Sequence, residues 1–166
     1  MSCAFAEAPA PARVPIPSGR AYRATPLPPS AFVTPTLAAD MARVLERFAA
    51  EAGFTAKRPV EILFKPGVVG HHQVGRAADI YAVGGRGLDA WKTDWDAAAT
   101  HGALAAERQR NLGWRLYKAI QTYGRWSRPA GYPIQLFGPW TRSEGPWRRI
   151  SDPLLFAHRD HIHIAK

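Results

Sequence analysis

Five of the six histidines fall into two short clusters, His71-His72 and His158-x-x-His161-x-His163, and each cluster has an aspartate near it, Asp79 and Asp160. Imidazole and carboxylate are the groups that hold a cation such as zinc and that move protons near neutral pH. The one cysteine, Cys3, leaves no thiolate site and no intrachain disulfide, so a metal centre has to be built from His, Asp or Glu. The sixth histidine, His101, follows an alanine run and reads as a helix-terminus residue without chemistry.

Spacing restricts how the clusters are presented. His72 and Asp79 stand seven positions apart. On a helix they would share a face but lie ~10 Å apart along the axis, too far for both to reach one ion through bonds of ~2 Å. Gly75 between them also disfavours a helix. A loop that turns at Gly75 and runs into a strand brings both donors together and sends Ile80 to the opposite face, into the core. In the second cluster His161 and His163 alternate with Ile162 and Ile164, so a strand points both imidazoles into a cleft and both isoleucines inward. One imidazole can bind metal while its neighbour handles protons, and His158 reaches the same cleft from the preceding turn.

The elements that must carry these residues are legible around them. Residues 1–35 are crowded with Pro and Ala and read as an arm or linker without a core of its own, which leaves 36–166 as the domain. Thr34-Pro35 is an N-cap followed by a first helical residue, and Leu37, Met41, Val44, Leu45 and Phe48 recur at helical spacing up to Gly53. Val60 to Phe64 and Ala77 to Val83 read as strands, separated by the Pro66-Gly67 turn and the first histidine pair. Asp89 to about Tyr123 turns helical, with a break near Gly102 that splits it into two helices. Ile134 to Phe137 and His161 to Ala165 read as strands, with a Trp- and Arg-rich loop from Gly138 to Arg149 before the second. The order is mixed α+β.

Bulk properties narrow the partners. The chain has 166 residues, 46% of them apolar, enough for one domain with a real core. Its 22 Lys and Arg against 13 Asp and Glu give +9, which favours a polyanionic partner: nucleic acid, acidic lipid or cell wall. The arginines form no recognition helix or stacking-sheet motif, so nucleic acid is not the expected one. No stretch approaches a membrane span, and Met1 to Ala12 lack the basic start and long apolar run of a complete signal peptide.

His72-x-x-Gly75-x-Ala77-x-Asp79 together with His161-x-His163 resembles the zinc peptidase superfamily of D-alanyl-D-alanine carboxypeptidases, penicillin-insensitive murein endopeptidases and lysostaphin, with the hedgehog signalling domain as a relative. The resemblance implies an α+β fold in which a small, mainly antiparallel sheet carries the site and helices flank it. It implies one zinc ion on His72, Asp79 and His163, a zinc-activated water, and His161 as an uncoordinated active-site residue. His158 stands where many carboxypeptidase-type members carry a Glu, and would share the proton-handling role. Asp160 and His71 are candidates for outer positions that orient an imidazole. Arg76, Trp140 and Arg142 are the candidates for contacting substrate, although the loop holding the last two would serve equally as a cover over the core.

The implied substrate is the stem peptide of peptidoglycan, whose carboxylates suit the positive charge, and the expected location is periplasmic or extracellular. His158-x-Asp160-His161-x-His163 is similar to the murein endopeptidases, whereas Gly75-Arg76-Ala77-Ala78-Asp79-Ile80 is similar to the carboxypeptidase branch. Leu63-Phe64-Lys65-Pro66-Gly67 replaces the Ser-Gly-Tyr-Arg type of segment that holds a substrate carboxylate in carboxypeptidase-like members, which favours an endopeptidase. The hedgehog-like relatives keep open a zinc-containing binding module without catalysis.

Overall fold

The computed structural model describes residues 12–26, 32–65, 67, 70–124, 135–141 and 151–166. Helix α1 spans Pro35–Glu51, and Thr34 caps it by accepting from the Leu37 N–H at 3.4 Å. Its Leu37, Met41, Val44, Leu45 and Phe48 are buried, as their spacing requires. They pack against α4, Leu112–Tyr123, whose buried face holds Leu116, Tyr117, Ala119 and Ile120.

Between them the chain forms α2, Leu88–Thr100, and α3, Leu104–Arg110, so the stretch expected to hold two helices holds three. The break near Gly102 is present, and the additional one falls at Asn111. Its side chain accepts from Trp114 N–H at 2.9 Å, capping α4, and donates to Trp91 O and Glu107 Oε1 at 2.7 Å each. A polar residue that can satisfy the free N–H groups of a new helix turns the chain here.

Strand β1 is Val14–Pro15, β2 Tyr22–Pro26, β3 Phe32–Val33, β4 Val60–Lys65, β5 Ala77–Val83, β6 Arg86–Gly87, β7 Gln135–Phe137 and β8 Ile162–Ala165. The main sheet runs β2-β4-β5-β8-β7, with β6 paired to β5. Among the described residues only β2 and β4 pair in parallel; the other pairings are antiparallel. The fold is therefore α+β with a mainly antiparallel sheet. A short helix α5, Asp152–Ala157, precedes β8.

The arm reading of residues 1–35 needs correction for its described part. β2 is a strand of the main sheet, β1 and β3 pair with each other, and Ile16, Ala21, Tyr22 and Val33 are buried in the core. The proline spacing leaves stretches such as Tyr22 to Thr25 free to make ladder hydrogen bonds, and an aromatic that size is worth burying. Tyr22 is fully buried and its hydroxyl donates to Pro17 O at 2.6 Å. Burial, with Glu46 adding to it, pushes its phenol up to about 12.

Alternation along the strands sets the two faces of the sheet. Phe64, Ala78, Ile80, Leu136, Ile162 and Ile164 belong to the core with α1, α2 and α4. The intervening positions Lys65, Asp79, His163 and Phe137 are paired across three strand junctions, Lys65 with Asp79, Asp79 with His163 and His163 with Phe137. Chemistry-bearing residues thus line the face turned away from the helical layer.

Candidate metal centre and its surrounding histidines

The first cluster sits on a 3-10 turn, Gly70–Val74, that leads into β5. The chain reverses at Gly75 (φ +70), where Gly75 N–H donates to His72 O at 3.0 Å and Arg76 N–H to His71 O at 2.8 Å. The N-terminal segment braces this turn: Thr34 N–H donates to Gly75 O at 2.7 Å, and the Arg13 guanidinium donates to Gln73 O. Gly67 packs against the His72 ring so closely that a Cβ would lie 2.1 Å from it, which explains a glycine there beyond any turn preference.

Asp79 is the hub. Its Oδ1 lies 2.7 Å from His163 Nδ1 and its Oδ2 3.2 Å from His72 Nε2. The donor atoms of His72, Asp79 and His163 all lie within 4.8 Å of one another, and among the described residues this is the one such group. Tetrahedral coordination through bonds of about 2.0 Å separates donors by about 3.3 Å, so two imidazoles and a carboxylate at this spacing fit a metal ion. Asp79 and His163 are only 7% exposed. Burial alone would raise the Asp79 carboxyl, but hydrogen bonds to His163 and His72, with the attraction of those rings, outweigh it and hold the group well below the usual carboxylate range. A carboxylate kept ionised in a buried place is what a cation needs.

Two more imidazoles crowd the same carboxylate. His161 Nε2 lies 3.8 Å from Asp79 Oδ1, and the His158 ring centroid is 4.9 Å from that of His161 and 5.1 Å from that of His163. His158 Nδ1 lies 2.7 Å from Leu154 O, a group that only accepts, so the ring proton is on Nδ1 and the Nε2 lone pair is left over. Burial, reinforced by the neighbouring histidines against the opposing pull of Leu154 and Asp79, lowers the His158 pKa and keeps the ring neutral at neutral pH. For Asp160, burial opposes ionisation, but the His161 hydrogen bond and the charges of His161 and Lys65 hold it below its ordinary value.

Gln135 escaped the sequence reading. It lies on β7, and its Oε1 is 3.1 Å from His163 Nε2. Without a metal, His163 Nδ1–H donates to the ionised Asp79; were a metal to take the place of that proton, the ring proton would sit on Nε2 and be donated to Gln135. Such an outer partner sets the tautomer and orientation of a ligand. The only signal in the sequence is the register of β7 on β8, which is not readable before the pairing is known. Gln135→Ala is expected to weaken zinc binding about 10- to 100-fold while leaving the fold intact, as measured by competition with a chromogenic chelator.

The candidates for contacting substrate fare differently. Trp140 is corrected: it is fully buried, edge-on to Trp95 at 6.5 Å and tilted against Tyr117 at 6.1 Å, and so belongs to the core rather than a cleft wall. Arg76 Nε donates to Lys166 O at 2.7 Å and ties down the end of β8. Arg142 lies outside the described residues. His71 adjoins the site on the same turn and contributes its carbonyl to the Arg76 N–H. No helix among the described residues is long and apolar enough to cross a membrane. Comparison of the chain with protein-family models, with curated proteins and with solved structures finds no match in any of the three.

Proposed function

We propose that this chain is a zinc-dependent peptidase that hydrolyses cross-linked stem peptides of bacterial peptidoglycan in the periplasm or outside the cell. The observation that carries the reading is the grouping of His72, from the turn before β5, with Asp79 and His163 of the sheet, beside two further imidazoles that are not part of the donor set. A purely structural metal site has no use for the extra pair, whereas a hydrolytic one needs groups that move protons. Zinc on the three donors would supply Lewis acidity toward a carbonyl and make water a better nucleophile near neutral pH.

The protein's own groups do the rest. His161 Nε2, beside Asp79, takes the proton from water as its oxygen attacks the peptide carbonyl, and returns it to the amine nitrogen as the C–N bond breaks. His158, neutral and with its Nε2 lone pair unused, stands beside it as a second proton carrier. The chain's +9 charge draws it to the anionic wall.

The test is digestion of purified peptidoglycan by zinc-loaded wild type and His161→Ala, with fragments identified by mass spectrometry. Wild type should consume cross-linked dimers, and the variant should be slower by about 100- to 10,000-fold while keeping its zinc. Release of free D-alanine instead would indicate a carboxypeptidase. Zinc bound by both proteins without cleavage by either would leave a binding module.

A further inference from the structure

Asp160, in the turn between α5 and β8, contacts two groups at once. Its Oδ1 lies 2.7 Å from His161 Nδ1, and its Oδ2 lies 3.7 Å from the Lys65 ammonium. Lys65 ends β4, pairs in register with Asp79, and also lies 5.7 Å from the centre of the Tyr81 ring. Two contacts therefore hold the ammonium on the site face of the sheet, and through Asp160 they reach across β5 to the turn that carries His161.

The direction of the His161 hydrogen bond has a chemical consequence. An ionised carboxylate only accepts, so the proton of that bond is on Nδ1, and in the neutral ring the lone pair is then on Nε2. That is the nitrogen 3.8 Å from Asp79 Oδ1. A neutral imidazole free in water favours the opposite tautomer, with the proton on Nε2, which would leave no acceptor facing the donor group. Something has to impose the less favoured form.

We infer that Lys65 and Asp160 are positioning residues that lock His161 in the Nδ1–H tautomer and thereby make Nε2 the proton acceptor of the site. The ion pair is part-exposed on both sides, with side-chain exposures of 44% and 37%, so it adds little to global stability. Its effect falls on where the carboxylate sits. Lys65 holds Oδ2 and leaves Oδ1 aimed at the ring; without Lys65 the carboxylate is free to rotate away.

This inference rests on the peptidase reading for the use of the base, but not for the tautomer. The deciding measurement is two-bond ¹H–¹⁵N correlation NMR on zinc-loaded protein labelled with ¹⁵N-histidine. Wild type should show His161 protonated on Nδ1, and Asp160→Ala should convert it to the Nε2–H form. Asp160→Asn, whose amide oxygen still accepts, should retain Nδ1–H. In peptidoglycan turnover, Asp160→Ala should lower kcat about 10- to 100-fold with KM and zinc content unchanged, and Asp160→Asn should recover most of the loss. Lys65→Met should cost about two- to five-fold. The inference is overturned if wild type carries Nε2–H at His161, or if Asp160→Ala keeps Nδ1–H. A wild type that turns over no peptidoglycan would sink the peptidase reading alone, and the NMR result would still decide the role of the pair.

Discussion

Asp79→Ala is expected to abolish metal binding and, with it, the proposed peptidoglycan hydrolysis. Asp79 is the only carboxylate in the donor group, and both imidazoles, His163 at 2.7 Å and His72 at 3.2 Å, are arranged around its two oxygens. Removing it takes away one ligand, the negative charge that offsets the cation, and the acceptor that orients the other two. The loss of affinity should exceed the roughly 100-fold upper range for removing a partner outside the ligand set. Zinc content after dialysis, measured by elemental mass spectrometry, should fall from one ion per chain to near none. Asp79→Asn separates charge from shape, since it keeps the volume but brings an N–H donor to face an imidazole; it should also lose zinc. Retention of one tightly bound ion by Asp79→Ala would show that these three residues are not the ligands.

Acid should act on the same group in the metal-free protein. The folded-state pKa of Asp79 is depressed, so its contribution to stability is present above the ordinary carboxylate value of about 4 and is lost as pH falls through the lower folded value. With zinc bound, protons compete with the ion for its ligands, so acid should weaken metal binding too.

The candidate metal group was legible because its residues obey local rules. His161 and His163 alternate with Ile162 and Ile164, and a period of two can serve only one arrangement when the isoleucines must be buried. His72 to Asp79 excluded a helix by distance, and the turn at Gly75 followed. What escaped was set by pairing across the sheet. Gln135 reaches His163 because β7 lies next to β8, and Lys65 reaches Asp160 because β4 lies two strands from β8. Neither relation leaves a pattern in sequence. Trp140 failed for a related reason: an aromatic in an Arg-rich loop reads as a surface feature, yet Gly113 on α4 leaves a hollow for it. A Cβ there would lie 2.7 Å from the indole. The glycine that weakens α4 as a helix is what lets the indole pack.

Tyr22→Ala should destabilise the protein by about 3–5 kcal/mol, the range for deleting a buried aromatic. Were residues before 36 a linker, the same change would stay within about 0.5 kcal/mol. Tyr22 is fully buried, it pairs with Val60 in the parallel β2–β4 ladder, and its hydroxyl donates to Pro17 O. Urea unfolding of the zinc-free protein isolates the effect, because bound metal adds its own linkage to the folded state. Tyr22→Phe keeps the ring and removes the hydrogen bond, so it should cost about 1 kcal/mol and separates packing from polar satisfaction. The phenol supplies a second reading. Its folded pKa, pushed up to about 12, lies above the unfolded value near 10, so stability is full below pH 10 and falls as pH rises toward 12. Tyr22→Phe removes that alkaline dependence while keeping the core filled. The consequence reaches the site: residues following β2 include Val33 and Thr34, and Thr34 N–H holds Gly75 O beside His72. Loosening this segment should therefore weaken zinc binding as well as the fold, which a linker would leave untouched.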